Sequence, residues 1–85
     1  MKEIIIDCQL LDSHQALHSA LAEKLEFPQW YGGNLDALHD QLTSISEDTR
    51  LILKQFETLG FFRRGFQMVL HDAAEENPHF YVDIL

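Results

Sequence analysis

The apolar positions along the chain fall into short runs and helical stripes. Residues 3–7, Glu-Ile-Ile-Ile-Asp, form an apolar run bounded by acids, which predicts a buried strand. Arg-Leu-Ile-Leu-Lys at 50–54 predicts a second buried strand, and His-Phe-Tyr-Val-Asp-Ile-Leu at 79–85 a third. Between the runs the period changes to that of a helix. Asp12 or Ser13 can cap a helix reaching about Leu25, with Leu17, Ala20, Leu21 and Leu25 on one side. Pro28 and the pair Gly32-Gly33 mark a loop, after which Asn34 caps a second helix reaching about Ser44. Its core side is Leu35, Leu38 and Leu42. The segment 55–60, QFETLG, predicts one helical turn closed by Gly60. A longer helix from about Phe62 to Glu76 carries Phe66, Val69, Leu70 and Ala73 on one face and is stopped by Asn77-Pro78. Strands separated by helices pair in parallel through crossovers. The expectation is a single α/β domain over residues 1–85: a three-stranded parallel β-sheet packed with about four α-helices.

Composition narrows the class. With 85 residues and 46% hydrophobic content, the chain can build one core without a disulfide or a structural metal. Cys8 is the single cysteine, so no internal disulfide forms. It reads as a small buried filler near a strand end, because no helix start or basic neighbour activates the thiol. The amino-terminal apolar run is too short and too acidic for a signal peptide, and no stretch approaches the ~20 apolar residues of a membrane span. The expectation is a cytoplasmic protein.

Charge adds a direction. Six basic residues against fourteen acidic ones give a net charge of −8. Nucleic acid and anionic membranes would repel such a chain, whereas a basic protein would attract it. The negative charge is concentrated in two blocks. Between Leu25 and Thr49 there is no Lys or Arg, only Glu26, Asp36, Asp40, Glu47 and Asp48; between Gly65 and Leu85 there are only Asp72, Glu75, Glu76 and Asp83. Each block contains a helix, and two such helices side by side would make one anionic face.

On the second helix, Asp36, His39, Asp40 and Thr43 share the side opposite the leucines. Asp36 suits the positive end of the helix dipole; Asp40, a turn further on, gains little from it. Like charges four apart cost a few tenths of a kcal/mol, up to ~0.5. The plain alternative is a solvated acidic face. Trp30 and Tyr31 argue against it, because they are consecutive on the glycine-flanked loop beside that face. One of the two can turn into the core; both rarely can. An exposed aromatic beside carboxylates reads as an interface anchor.

Enzyme readings have less support. Asp36, His39 and Asp40 could act as acid–base groups, and His39-Asp40 and His71-Asp72 could be metal-binding pairs. A hydrolase needs a closed pocket, and a glycosidase needs carboxylates across a cleft, not on one convex helix face. His14 and His18 are four apart, which suits zinc, but HQALH lacks the glutamate of a zinc-protease helix and a third ligand. They read instead as two histidines on an exposed amphipathic helix. No phosphate-binding glycine loop follows a strand. No cofactor, metal or catalytic residue is expected.

The stretch FPQWYGGNLDALHDQLT, residues 27–43, resembles the signature of the barstar family, bacterial inhibitors of the secreted ribonuclease barnase. The match comprises the proline, the paired aromatics, the glycine, Asn-Leu-Asp-Ala-Leu, a variable residue, Asp, and Leu-Thr. The similarity runs the full length, through the leading strand, the VLHDAAEE helix and the final strand. The resemblance implies a barstar-like three-stranded parallel fold and an immunity-type, antitoxin-like role with no catalysis. It implies that the second helix and its preceding loop enter the basic groove that holds RNA phosphates in a barnase-like ribonuclease or related toxin domain. Asp40 would then be the phosphate mimic, and Asp36 would meet the guanine-side and basic groups. Trp30 would pack near the catalytic histidine, Thr43 would add a polar contact, and Asp72 and Glu76 would sit at the acidic rim. Tyr31, Gly32, Asn34, Leu35 and His39 complete the implied partner-binding set, and the free protein is expected to be a monomer. Two positions depart from the family: His39 stands where tryptophan is usual, and Ile45 where another aromatic is. Contact area is lost and a titratable group gained. A module of this fold that binds another basic protein, and a small enzyme using Asp36, His39 and Asp40, remain alternatives.

Overall fold

The computed structural model describes all 85 residues, Met1–Leu85. Three parallel strands, β1 (Lys2–Asp7), β2 (Thr49–Lys54) and β3 (Phe80–Ile84), form one sheet in that order, with β2 central. The α-helices are α1 (His14–Lys24), α2 (Leu35–Thr43) and α3 (Arg63–Glu76). The α/β class and parallel pairing agree with the sequence expectation. The count of about four helices is corrected to three, with two single 3-10 turns at Cys8–Leu10 and Phe56–Thr58. The expected helical turn in QFETLG is the second of these. Gln55 enters it in the left-handed region at φ 58° and supplies no side-chain cap, so only short-range bonds form, from Thr58 N to Gln55 O and from Leu59 N to Phe56 O.

Each helix starts and faces as its residues dictate. Ser13, not Asp12, caps α1 by accepting from Ala16 N at 3.1 Å; Asn34 caps α2 by accepting from Ala37 N at 2.8 Å. Leu17 and Leu21 of α1, Leu38 and Leu42 of α2, and Phe66, Leu70 and Ala73 of α3 meet the inner positions of the sheet: Ile4, Ile6, Leu51, Leu53 and Phe80. Cys8 is fully buried just after β1, and burial, reinforced by Asp7 and Glu57, pushes its thiol up to about 11. It is an inert filler.

The strands are not buried on both sides, as their apolar runs suggested. Along β1, Ile4 and Ile6 point inward while Ile5 is 50% exposed; β2 alternates between buried and half-buried positions; Tyr81 of β3 is 41% exposed. All-parallel sheets are usually covered on both faces. Here one face carries the helices. The other presents Ile5, Ile52 and Tyr81, crossed by an Arg50–Asp83 ion pair at 2.9 Å.

Close packing and buried hydrogen bonds join α2 to α3 at both ends. Gly65 lets the first turn of α3 press against α2; a Cβ there would stand 2.7 Å from Leu35 Cδ1. At the other end, Asn77 is buried and its side-chain amide donates to Leu42 O at 2.8 Å and Ile45 O at 3.0 Å, while its Oδ1 accepts from His79 N at 2.9 Å. The residue expected only to stop α3 also ties the end of α2 to the start of β3.

Candidate protein-binding site

The loop after α1 leads directly into α2. Phe27 N donates to Ala22 O at 2.9 Å, closing α1, and Tyr31 N donates to Pro28 O at 3.0 Å, making a turn. The turn separates the aromatics. Trp30 points outward and is 77% exposed; Tyr31 is half-buried, with its ring 4.9 Å from that of Phe27. This is the division expected for the pair. Gly33, at φ 66°, then swings the chain into α2 in a conformation that L side chains rarely adopt. With Asn34 fixing the start of α2, Leu38 and Leu42 fall inward, and Asp36 and Asp40 fall outward.

Asp36 and Asp40 are exposed, and neither belongs to any of the four ion pairs of the molecule. The basic side chains are engaged or lie elsewhere: Arg50 with Asp83, Lys2 with Glu26 at 3.8 Å, and Arg63 donating to Leu59 O at 2.9 Å. The repulsion between the two aspartates is therefore left uncompensated in the free protein.

The helix of the second acidic block lies beside the first, because α3 packs along α2. His39 Nε2 is hydrogen-bonded to the Glu76 carboxylate, bridging the two helices. His39, Asp72, Glu75 and Glu76 line a shallow depression of about 290 Å³. The two blocks thus adjoin in one anionic face: Asp36 and Asp40 flank His39 on the exposed side of α2, and Asp72, Glu75 and Glu76 line the depression that His39 shares with α3. Of the sequence-derived set, Trp30, Gly32, Asn34, Asp36, Asp40, Asp72 and Glu76 are exposed. Leu35 and Tyr31 turn inward and pack partly against the core. The Thr43 hydroxyl donates to His39 O at 2.9 Å, which leaves its oxygen free to accept. Glu75, outside the sequence-derived set, lines the same depression; its place in the second acidic block is the signal for it. Ile45 is half-buried against the core, so the lost aromatic there is partly a change of packing.

The expectation that His14 and His18 are both exposed is corrected for His18. It is 5% exposed, with its ring 4.7 Å from Phe66 and its Nδ1 joined to the Tyr31 hydroxyl at 2.6 Å. The helical wheel carries this signal: at roughly 100° per residue His18 lies only about 20° from Leu25, at the margin of the apolar stripe. No three His, Cys, Asp or Glu side chains are grouped to hold a metal ion, and no helix is long and apolar enough to cross a membrane.

Burial, and secondarily the neighbouring His14, lowers the pKa of His18; burial pushes the Tyr31 hydroxyl up to about 12. A depressed histidine makes the fold sensitive to acid. As pH falls through about 6.5, the unfolded chain takes up a proton that folded His18 refuses, and stability is lost until the lower folded value is passed. The urea midpoint of the native protein should therefore fall between pH 7.5 and 5.5. His18→Asn should show a flatter profile over that range; an equally steep one would mean that His18 does not carry the effect.

The sequence that builds this geometry has counterparts among known proteins. Residues 1–83 match the family described as Barstar (barnase inhibitor). A protein of Bacillus subtilis (strain 168) named "Putative ribonuclease inhibitor YrdF" is 41% identical over 81 residues, covering 89% of this chain and 89% of its own length. A match over nearly the whole sequence, on a three-stranded parallel sheet with the family's motif at the α2 start, places the chain in the barstar (barnase inhibitor) family.

Proposed function

We propose that this protein is a ribonuclease inhibitor, not an enzyme, which blocks the basic active site of a barnase-like secreted ribonuclease or related toxin domain. The observation that carries this reading is the pair of exposed, unpaired carboxylates on α2, Asp36 and Asp40, together with an exposed Trp30 on the loop that leads into α2. The family description and the relative's printed name support the same role. Asp40 takes the place of a substrate phosphate and Asp36 meets the adjoining basic groups. Trp30 covers the catalytic residues, Thr43 adds a polar contact, and Asp72 and Glu76 complete the rim. His39 is the adaptable member: it holds Glu76 in the free protein, so a cation that recruits Glu76 must displace the imidazole. An inhibitor of this kind would act in the cytoplasm, as a monomer when free, guarding the cell that makes the ribonuclease.

Mixing the protein with barnase and following RNA cleavage tests the reading. Cleavage should be lost at one inhibitor per enzyme. Association should slow by about tenfold between low and above-physiological salt while dissociation changes less, because complementary fields steer encounter. Full cleavage at excess inhibitor, or a salt-independent association rate, would count against it.

A further inference from the structure

The loop that carries Trp30 is seated on the core through the half-buried rings of Phe27 and Tyr31, 4.9 Å apart. Its backbone bonds are local, joining Phe27 to Ala22 and Tyr31 to Pro28. The two residues after Tyr31 are glycines, so little stiffness is transmitted from α2. An open groove of about 600 Å³ separates the loop from α1, lined by Gln15, Ser19 and Glu23 on one side and Phe27, Gln29 and Tyr31 on the other. The loop therefore has room to move. Across that groove runs a single side-chain hydrogen bond, between the Tyr31 hydroxyl and His18 Nδ1 at 2.6 Å. Its α1 end is rigid. His18 is 5% exposed and rests on Phe66, itself 2% exposed, with the two rings 4.7 Å apart.

From this geometry we infer that His18 is a positioning residue for the binding surface: through Tyr31 it fixes the aromatic loop, so that Trp30 stands in its docking position before a partner arrives. His18 belongs to α1 and does not reach the anionic face; it acts through the residue adjacent to Trp30. The docking part rests on the inhibitor reading above; the anchoring part does not. A preset loop leaves less side-chain and backbone freedom to be lost on association, which strengthens binding without adding a contact.

Trp30 is the single tryptophan, so its fluorescence reports the loop directly in the free protein. Tyr31→Phe removes the hydroxyl and keeps the ring. His18→Leu removes the ring nitrogen and keeps an apolar seat on Phe66. His18→Asn places an amide oxygen near the Nδ1 position and serves as the rescue. In time-resolved anisotropy the amplitude of fast Trp30 motion should rise about twofold in Tyr31→Phe and His18→Leu, and stay near the native value in His18→Asn. Affinity for barnase should fall about tenfold in the first two and recover in the third. Unchanged Trp30 motion in both bond-breaking variants, with far-ultraviolet circular dichroism confirming their fold, overturns the anchor. Loosened Trp30 with undiminished barnase affinity, where Asp40→Ala abolishes binding in the same assay, overturns the docking role and leaves the inhibitor reading intact. If the native protein does not bind barnase, the docking role falls with the inhibitor reading, and the anisotropy still decides the anchor.

Discussion

Asp40→Ala should weaken binding to a barnase-like ribonuclease by at least ~2–5 kcal/mol, the range for a buried interfacial charge, for which barnase–barstar is itself the reference system. The size of the loss follows from what is left behind. The carboxylate is unpaired in the free protein, so its removal there strands nothing. In the proposed complex it would leave several cations in a dry pocket without their counterion. Asp72→Ala and Glu76→Ala should cost on the order of 1 kcal/mol, because water still reaches their partners. Free-protein stability should respond in the opposite sense. Losing Asp40 relieves the repulsion with Asp36 and introduces a better helix former, a gain of a few tenths of a kcal/mol. Glu76→Ala loses the exposed pair with His39, which is worth little. Partner affinity and urea unfolding, measured on the same three variants, check both halves. Full affinity in Asp40→Ala, or substantial unfolding of it, would remove the phosphate-mimic role.

The largest effect on the fold is expected at Phe66. Its ring is buried on α3, the helix that packs along α2, 4.7 Å from His18 of α1 and 6.1 Å from Phe62. Phe66→Ala removes the seat of the loop anchor and leaves a cavity, and should cost about 3–5 kcal/mol. A domain of this size has a total stability on the order of 5–10 kcal/mol, so the variant should be largely unfolded in urea concentrations that the native protein tolerates. A loss below about 1 kcal/mol would mean that neighbouring side chains collapse into the gap.

The helices and their inner faces are legible in the sequence because leucines at helical spacing leave one solution for which side is buried. Leu38 and Leu42 alone are enough to turn Asp36 and Asp40 outward. The sheet is harder to read. Ile4, Ile5 and Ile6 are identical in type, so nothing in their order tells that Ile5 faces out; that depends on which face the helices cover. The 3-10 turn at Phe56 follows from the left-handed backbone at Gln55, for which the residue type gives no signal. The anionic face is legible as two blocks of charge, but its closure is not. His39 and Glu76 lie 37 residues apart, and only the packing of α3 along α2 brings them together. The same holds for Asn77, whose amide serves two carbonyls 32 and 35 residues away. His18 is obscured by its spacing from His14, which suggests an exposed pair, while its burial follows from its place beside Leu25 on the helical wheel and from the Tyr31 hydroxyl that satisfies its ring.

Backbone amide chemical-shift mapping during titration with catalytically inactivated barnase tests the central claim most directly, because it reports which surface is covered. An inhibitor that docks through α2 predicts shifted amides in residues 29–44 and around Asp72 and Glu76, with the outer sheet positions Ile5, Ile52 and Tyr81 unmoved. Shifts centred on that open sheet face, with α2 silent, would contradict it.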